Sequence, residues 1–234
     1  MIGWLLLVLL VIGISTVAWG AFNIQGNFFL KATHRGDATN RQIALTFDDG
    51  PHPVYTPQVL ALLKQHGVKA TFFCIGKHAA QHPEIVQQIH AAGHVVANHS
   101  FTHAPTIDFH RKARWLEELR QTDATIAHSI GSNPRFFRPP YGVTTPHLAK
   151  AIKLSGHTVI GWCVRPYDTL KTRHAEYISR AILKQVKPGN IILLHDTHDR
   201  IVPVLEQLLP QLEQRGFTMV TAAELIHQDA YAET

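Results

Sequence analysis

Seven short apolar runs, each followed by a helical pattern, predict an α/β fold built on a parallel sheet, open or closed into a barrel, with a membrane-spanning segment before it. Three observations lead there. Strand-like and helix-like stretches take turns from residue 42 almost to the end, as in sheets whose strands are joined by helical crossovers. A length of 234 residues with 45% hydrophobic side chains suits one domain with a sizeable core. From Ile2 to Phe22 there is no charged side chain, and the first is Lys31.

That first stretch is long enough to span a bilayer, which needs roughly 20 apolar residues. A cleaved signal is the rival, because Ala18-Trp19-Gly20 resembles a small-residue cleavage site. An anchor is favoured because no positive residue precedes the apolar run. Lys31, Arg35 and Arg41 follow the span and by charge bias pull the domain toward the cytoplasm. The division expected is a membrane segment over 1–24, a polar linker over 25–40, a catalytic domain over 41–228 and a tail over 229–234.

Within the domain, strands are predicted at 42–47, 70–75, 94–98, 135–138, 158–164, 190–195 and 217–220. The first helix, 56–65, ends at Gly67. The second, 83–92, begins with Pro83 and ends at Gly93, as helix termini prefer. The third, 109–130, places Trp115, Leu119, Thr122, Ile126 and Ile130 on one face at the 3.6-residue period. Helices at 146–155, 174–186 and 202–214 complete the alternation. There is no internal repeat or low-complexity tract.

Charge excludes some classes of function. There are 22 Lys and Arg against 17 Asp and Glu, a net +5, and the basic residues are scattered. No basic stripe is interleaved with aromatics, so nucleic acid is not an expected partner. Cys74 and Cys163 are too few for a disulfide framework and read as buried free thiols, though a pair remains open. The 17 histidines make metal or proton chemistry worth pursuing.

In parallel α/β folds the reactive groups sit past the carboxyl ends of the strands. The reactive residue types collect at those ends here. Asp48 and Asp49 close the first strand. His99 and His103 follow the third, Arg138 closes the fourth, Asp168 follows the fifth, and His195 ends the sixth. The i, i+4 spacing of His99 and His103 would put both imidazoles on one face of a helical turn. With one carboxylate they form a His₂Asp set, the three-ligand pattern of catalytic zinc. The adjacent carboxylates then divide the work. One ligates the metal, whose charge removes their repulsion. The other stays ionised as a general base toward water. Arg138 offers a permanent charge to hold that base. His195 is placed to protonate a leaving group. A non-haem iron oxygenase also uses two His and one carboxylate, but needs neither the second Asp nor the strand-end acid.

Taken together, "TFDDG" at Thr46–Gly50, "HSFTH" at His99–His103, "RPPYG" at Arg138–Gly142 and "LLHD" at Leu193–Asp196 resemble the polysaccharide deacetylases of carbohydrate esterase family 4. The resemblance runs from about Arg41 to Glu224. It implies a distorted, incomplete (β/α)7 barrel and metal-dependent removal of N-acetyl groups from amino sugars in a glycan, releasing acetate. It also implies roles. Asp48 is the base, and Asp49, His99 and His103 hold the metal, usually zinc, with cobalt or nickel as substitutes. Arg138 orients the base, the Tyr141 N–H holds the oxyanion, and His195 is the acid. The family's Asp-Trp pair is only half present: Asp168 matches the residue that supports the acid, but Thr169 stands where the Trp would wall the acyl pocket. Tyr167 or Trp162 could take that place, and alternation puts Leu193 on the His195 face, near a small acyl methyl. The expected partners are a glycan with N-acetylated amino sugars and a membrane, the expected state a monomer. The expected location is a bacterial plasma membrane, with the domain facing the cell wall or periplasm. A lipid-linked amino sugar is the alternative substrate, and a silent glycan-binding module the alternative function.

Overall fold

A computed structural model describes residues 1–232. Helix α1, Ile2–Phe22, comes first and is exposed along its length, with Gly20 alone buried. Strands β1 (Ala32–Thr33), β2 (Gln42–Asp48), β3 (Thr71–Cys74), β4 (Val95–Asn98), β5 (Phe136–Phe137), β6 (Thr158–Ile160), β7 (Ile191–His195) and β8 (Thr218–Val220) form one sheet. Its order is β1-β6-β5-β4-β3-β2-β7, with β8 beside the start of β2. Every pairing between these strands is parallel.

The crossovers are helices, which right-handed parallel connections require. They are α2 (Tyr55–Gln65), α3 (Gly76–Gln81), α4 (Pro83–Ala91), α5 (Lys112–Ile130), α6 (Pro146–Ser155), α7 (Ala175–Gln185) and α8 (Ile201–Gln214), and α9 (Ala222–Ile226) follows the last strand. Alternation along the strands divides the apolar side chains between two sides. Ile43, Leu45 and Phe47 join Phe72, Val96, Ile192 and Leu194 under the helical layer. Ala44, Phe73, Val95, Ala97, Phe136, Ile160 and Ile191 fill the concave side together with Ala222 and Leu225 of α9. On α5 the apolar face buries Trp115, Leu119, Thr122 and Ile126, and also Glu118.

The expected strand over 158–164 breaks at Gly161. A side chain there would meet His34 Nδ1 at 2.2 Å, so only glycine fits. The chain then leaves β6 and touches the opposite edge of the sheet. Cys163 N–H donates to Ile191 O at 3.0 Å, and Val164 O accepts from Leu193 N–H at 2.9 Å. This contact draws the sheet toward closure and gives the barrel its distortion. Cys74 and Cys163 are both free thiols.

The stretch read as a linker is structured. Leu30 and Ala32 are buried, and β1 pairs with β6. The tail, as far as residue 232, packs too, with the Tyr231 hydroxyl accepting from Val96 N–H at 2.9 Å. Residues 233–234 of that tail lie outside the described residues.

Candidate active site

The register of the sheet brings the site together. Asp48 stands opposite His195 across β2 and β7, and Asn98, just before His99, stands opposite Phe137, just before Arg138. Strand ends far apart in sequence thus share one rim.

At that rim the two adjacent aspartates face different partners. Arg138 is fully buried and donates through Nη1 to Asp48 Oδ1 at 2.6 Å and to Thr46 Oγ1 at 2.8 Å. Its other nitrogens donate to the Ile160 and Gly161 carbonyls at 3.0 and 2.9 Å, and its guanidinium lies 4.0 Å over the Phe73 ring. A buried guanidinium hydrogen-bonded through all three of its nitrogens is held in one orientation and keeps its charge. It therefore fixes the position of Asp48, which is itself buried.

Asp49 turns the other way, on a backbone with φ of +73°. Its Oδ1 lies 3.3 Å from His99 Nε2 and 3.4 Å from His103 Nε2. One donor atom from each of the three residues falls within 4.8 Å of the others, which fits a small cation at the centre. His99 Nδ1 lies 2.8 Å from Arg138 O, and an N–H there leaves Nε2 free to ligate. Burial and the charge of His99 push the His103 imidazole down to about 4, toward the neutral form that binds metals. Burial alone would raise the Asp49 carboxyl, but the hydrogen bond and charge of His99, with His195 and His103, hold it well below the usual carboxylate range.

His99 and His103 do not sit on a helical turn. The segment is a tight loop in which Ser100 and His103 take φ of +64° and +47°. The clamp that holds it is Glu118. Its buried carboxylate accepts from the Phe101 and Thr102 N–H groups at 3.0 and 2.7 Å and from the Thr102 hydroxyl at 2.9 Å. Asn98 Oδ1 accepts from Ser100 N–H at 2.8 Å. Neither residue was predicted. The available signal was an acid on the apolar face of a helix that also carries Trp115 and Leu119.

Across the rim, Asp168 is fully buried and holds His195 twice. It accepts from His195 N–H at 2.8 Å and lies 2.9 Å from His195 Nδ1. His198 Nε2 lies 3.2 Å from the same carboxylate. Burial would raise Asp168, but the hydrogen bonds of His195 and His198 outweigh it and hold the carboxyl low. For His195 burial acts downward, yet the hydrogen bond and charge of Asp168, with Asp49 and Asp48 behind it, push the imidazole up to about 9. One face of the cleft thus has a neutral histidine and the other a protonated one, a division suited to metal binding and proton donation respectively.

The cleft has a volume of about 270 Å³. Its walls include Tyr141, Trp162, Leu193, Arg165 and Thr169. Trp162 packs against Gly142, where a side chain would meet its ring at 2.3 Å. Tyr167, expected as a pocket wall, does not line the cleft. Its ring is held between Arg165 and Arg173, whose guanidiniums lie 4.8 and 5.1 Å from the centroid. Tyr141 takes φ of +58°, and its hydroxyl donates to His103 O at 3.3 Å. The arrangement can hold a cation, a fixed carboxylate base and a protonated imidazole around one small acyl-sized space.

Comparison with known proteins points the same way. The sequence pattern of the polysaccharide deacetylase family matches residues 35–160. A peptidoglycan-N-acetylglucosamine deacetylase of Bacillus cereus is 35% identical over 190 residues, covering 80% of this chain and 68% of that protein. A chitooligosaccharide deacetylase of a Bradyrhizobium species is 36% identical over 205 residues, covering 81% and 93%. The crystal structure of a peptidoglycan N-acetylglucosamine deacetylase superposes with a TM-score of 0.80 at 32% identity, covering 85% of this chain and 94% of that one. The curled parallel sheet with its surrounding helices is the fold of that structure.

Proposed function

This chain belongs to the polysaccharide deacetylase family, and from that membership we propose that it hydrolyses the N-acetyl groups of N-acetylglucosamine units in a bacterial envelope glycan. The observation that supports this most is the division of Asp48 and Asp49 between Arg138 and the two histidines, with His195 facing both.

Asp49, His99 and His103 would hold a divalent cation, with zinc the default for a His₂Asp set. When bound, that cation supplies Lewis-acid polarisation of the acyl oxygen and of the attacking water. Asp48, fixed by Arg138, accepts the proton the water gives up as it attacks the acyl carbon. The Tyr141 N–H donates to the oxyanion of the tetrahedral state. His195, oriented by Asp168, gives its proton to the sugar nitrogen as the C–N bond breaks. The products are acetate and a free amino sugar. Leu193 and Trp162 wall the space next to the acyl methyl, the place the absent Trp at Thr169 leaves open.

The site of action proposed is the outer face of a bacterial plasma membrane, with α1 retained as an anchor. Retention is supported by the contacts at its end. The carbonyls of Gly20 and Ala21 accept from the Thr144 hydroxyl and N–H at 3.1 and 2.9 Å. Cleavage after Gly20 would remove the first of these.

Asp48→Asn tests the reading. It removes the base while leaving the three metal ligands in place. Acetate release from N-acetyl-chitooligosaccharides should fall by roughly 10²–10⁴-fold in kcat, with metal content unchanged. A rate equal to wild type would refute the assignment.

A further inference from the structure

Two features of the cleft are not needed for deacetylating a neutral soluble glycan. The first is Arg165. It lines the cleft, with its guanidinium 5.4 Å from the Trp162 ring and 4.8 Å from Tyr167. Its Nε is buried without a hydrogen-bond partner. Among the described residues it joins no ion pair, whereas Arg138 has Asp48 and Arg200 has Asp199. The cleft's own carboxylates are already matched: Asp48 by Arg138, Asp49 by His99 and His103, Asp168 by His195 and His198. A fixed planar cation left over at a substrate wall suits an anionic group on the substrate, and its fork geometry suits phosphate.

The second feature is the junction between α1 and the cleft. The last carbonyls of a helix have no partner within it. Here Thr144, itself buried, supplies partners for two of them. Just beyond the helix, Gln25 Nε2 donates to Trp162 O at 3.0 Å. Ile24 and Leu30 pack in the same apolar cluster as Trp162 and Leu193, two walls of the cleft. No free tether separates the span from the site. A helix of 21 residues is about 32 Å long, close to the hydrocarbon thickness of about 30 Å. Its C-terminal end therefore lies at the headgroup layer. Trp19, Phe22 and Phe28 are exposed around that end, as interfacial aromatics are. Tyr141 is three residues from Thr144, at most about 11 Å of chain. The cleft is thus held beside the headgroups.

We propose that the substrate is an N-acylated amino sugar joined through phosphate to a membrane lipid, with α1 fixing the cleft at the headgroup layer and Arg165 receiving the phosphate. The proposal rests on the deacetylase reading above and narrows its substrate. The reaction is unchanged: water is added across the amide, acetate leaves, and the amine stays on the lipid-linked sugar. The phosphate takes no part in the bonds that change.

The test uses the full chain, zinc-loaded, in vesicles of phosphatidylethanolamine and phosphatidylglycerol. Three probes are compared: N-acetylglucosamine linked by pyrophosphate to an isoprenoid in the same vesicles, N-acetylglucosamine 1-phosphate, and soluble N,N′,N″-triacetylchitotriose. Acetate release by the wild type should favour the lipid-linked probe at least tenfold in kcat/KM. A flexible glycine-serine insertion of about 15 residues after Ala18 leaves Gly20 and Ala21 docked on Thr144 and sets a tether of roughly 20 Å between them and the rest of the span. It should cut turnover of the lipid-linked probe about tenfold and leave chitotriose within about twofold. Arg165→Gln should cost the two phosphorylated probes roughly tenfold, the scale of one charged hydrogen bond. Arg165→Lys, which keeps the charge but loses the fork, should recover only part of that loss. Chitotriose turned over as well as the lipid-linked probe would overturn the proposal. So would an insertion variant that treats all probes as the wild type does. Equal rates on the free sugar phosphate and the lipid-linked sugar would remove the membrane from it. No acetate from any probe would instead overturn the deacetylase reading itself.

Discussion

Glu118 touches no reacting atom, yet the proposed metal site depends on it. Among the described residues its carboxylate is the only acceptor for the Phe101 and Thr102 N–H groups, and those groups define the loop that aims His99 and His103. Glu118→Leu keeps the volume but removes both oxygens, Oε2 that accepts from the two N–H groups and Oε1 that accepts from the Thr102 hydroxyl. Zinc affinity should fall about 10–100-fold, as when the support of a ligand is lost, with the far-UV circular dichroism unchanged. Competition with a chromophoric chelator measures it, and an unchanged affinity would show that the loop holds its shape without the clamp. The ligands themselves give the sharper result. His99→Ala combined with His103→Ala leaves one carboxylate of the three donors, and stoichiometric zinc on that variant would place the site elsewhere.

The strands and helices carry their own pH dependence. His94 begins the run into β4, is buried, and accepts at Nδ1 from Ala70 N–H at 3.1 Å, before β3. A histidine that accepts must be neutral. Burial, with the nearby charge of Lys69, lowers it from 6.5 to about 4. A depressed histidine stabilises the fold above its unfolded value near 6.5. That stability is lost as pH falls through the window from 6.5 to about 4, because the unfolded chain takes the proton first. The urea midpoint should therefore drop between pH 7 and pH 5, and His94 should account for about 1–2 kcal/mol of the drop. Asparagine places an accepting oxygen where Nδ1 lies and does not titrate. His94→Asn should flatten this part of the profile, and an identical slope in the two proteins would assign the effect to other groups.

At the scale of the whole molecule, the C-terminal end of α1 is joined to the barrel through Thr144 and Gln25, so the proposed membrane attachment would be coupled to the geometry of the cleft. The protein should resist carbonate extraction, its mature N-terminus should lie before Ala21, and protease added to spheroplasts of the host should digest the domain. A mature start at Ala21 would mean release, and full protection would put the domain in the cytoplasm and demand a different substrate. The charges of Lys31, Arg35 and Arg41 argue for the inward orientation, and the proposed envelope glycan argues for the outward one. The protease experiment separates them.

What the sequence determined by itself was local and periodic. Alternation and crossover helices specified a parallel sheet, and a parallel sheet sends every strand's carboxyl end to one rim. The strand-end positions of Asp48, Asp49, His99, Arg138, Asp168 and His195 were therefore enough to expect that they meet. Pro83 and Gly93 marked the limits of α4 to within a residue or two for the same local reason. The tertiary structure decided what depends on register and curvature. A donor and an acceptor 123 positions apart, the Thr144 N–H and the Ala21 carbonyl, meet only once the barrel has formed. The i, i+4 spacing of His99 and His103 fits a helical turn as readily as the loop that Glu118 imposes from another element. Tyr167 and Trp162 are both aromatic and stand five residues apart, but the break at Gly161 and the arginines on either side send one into the cleft wall and the other out of it. Residue type and spacing say which groups are available at a strand end. Which of them touch is set by contacts between residues far apart in the chain, and these form only when the whole core packs.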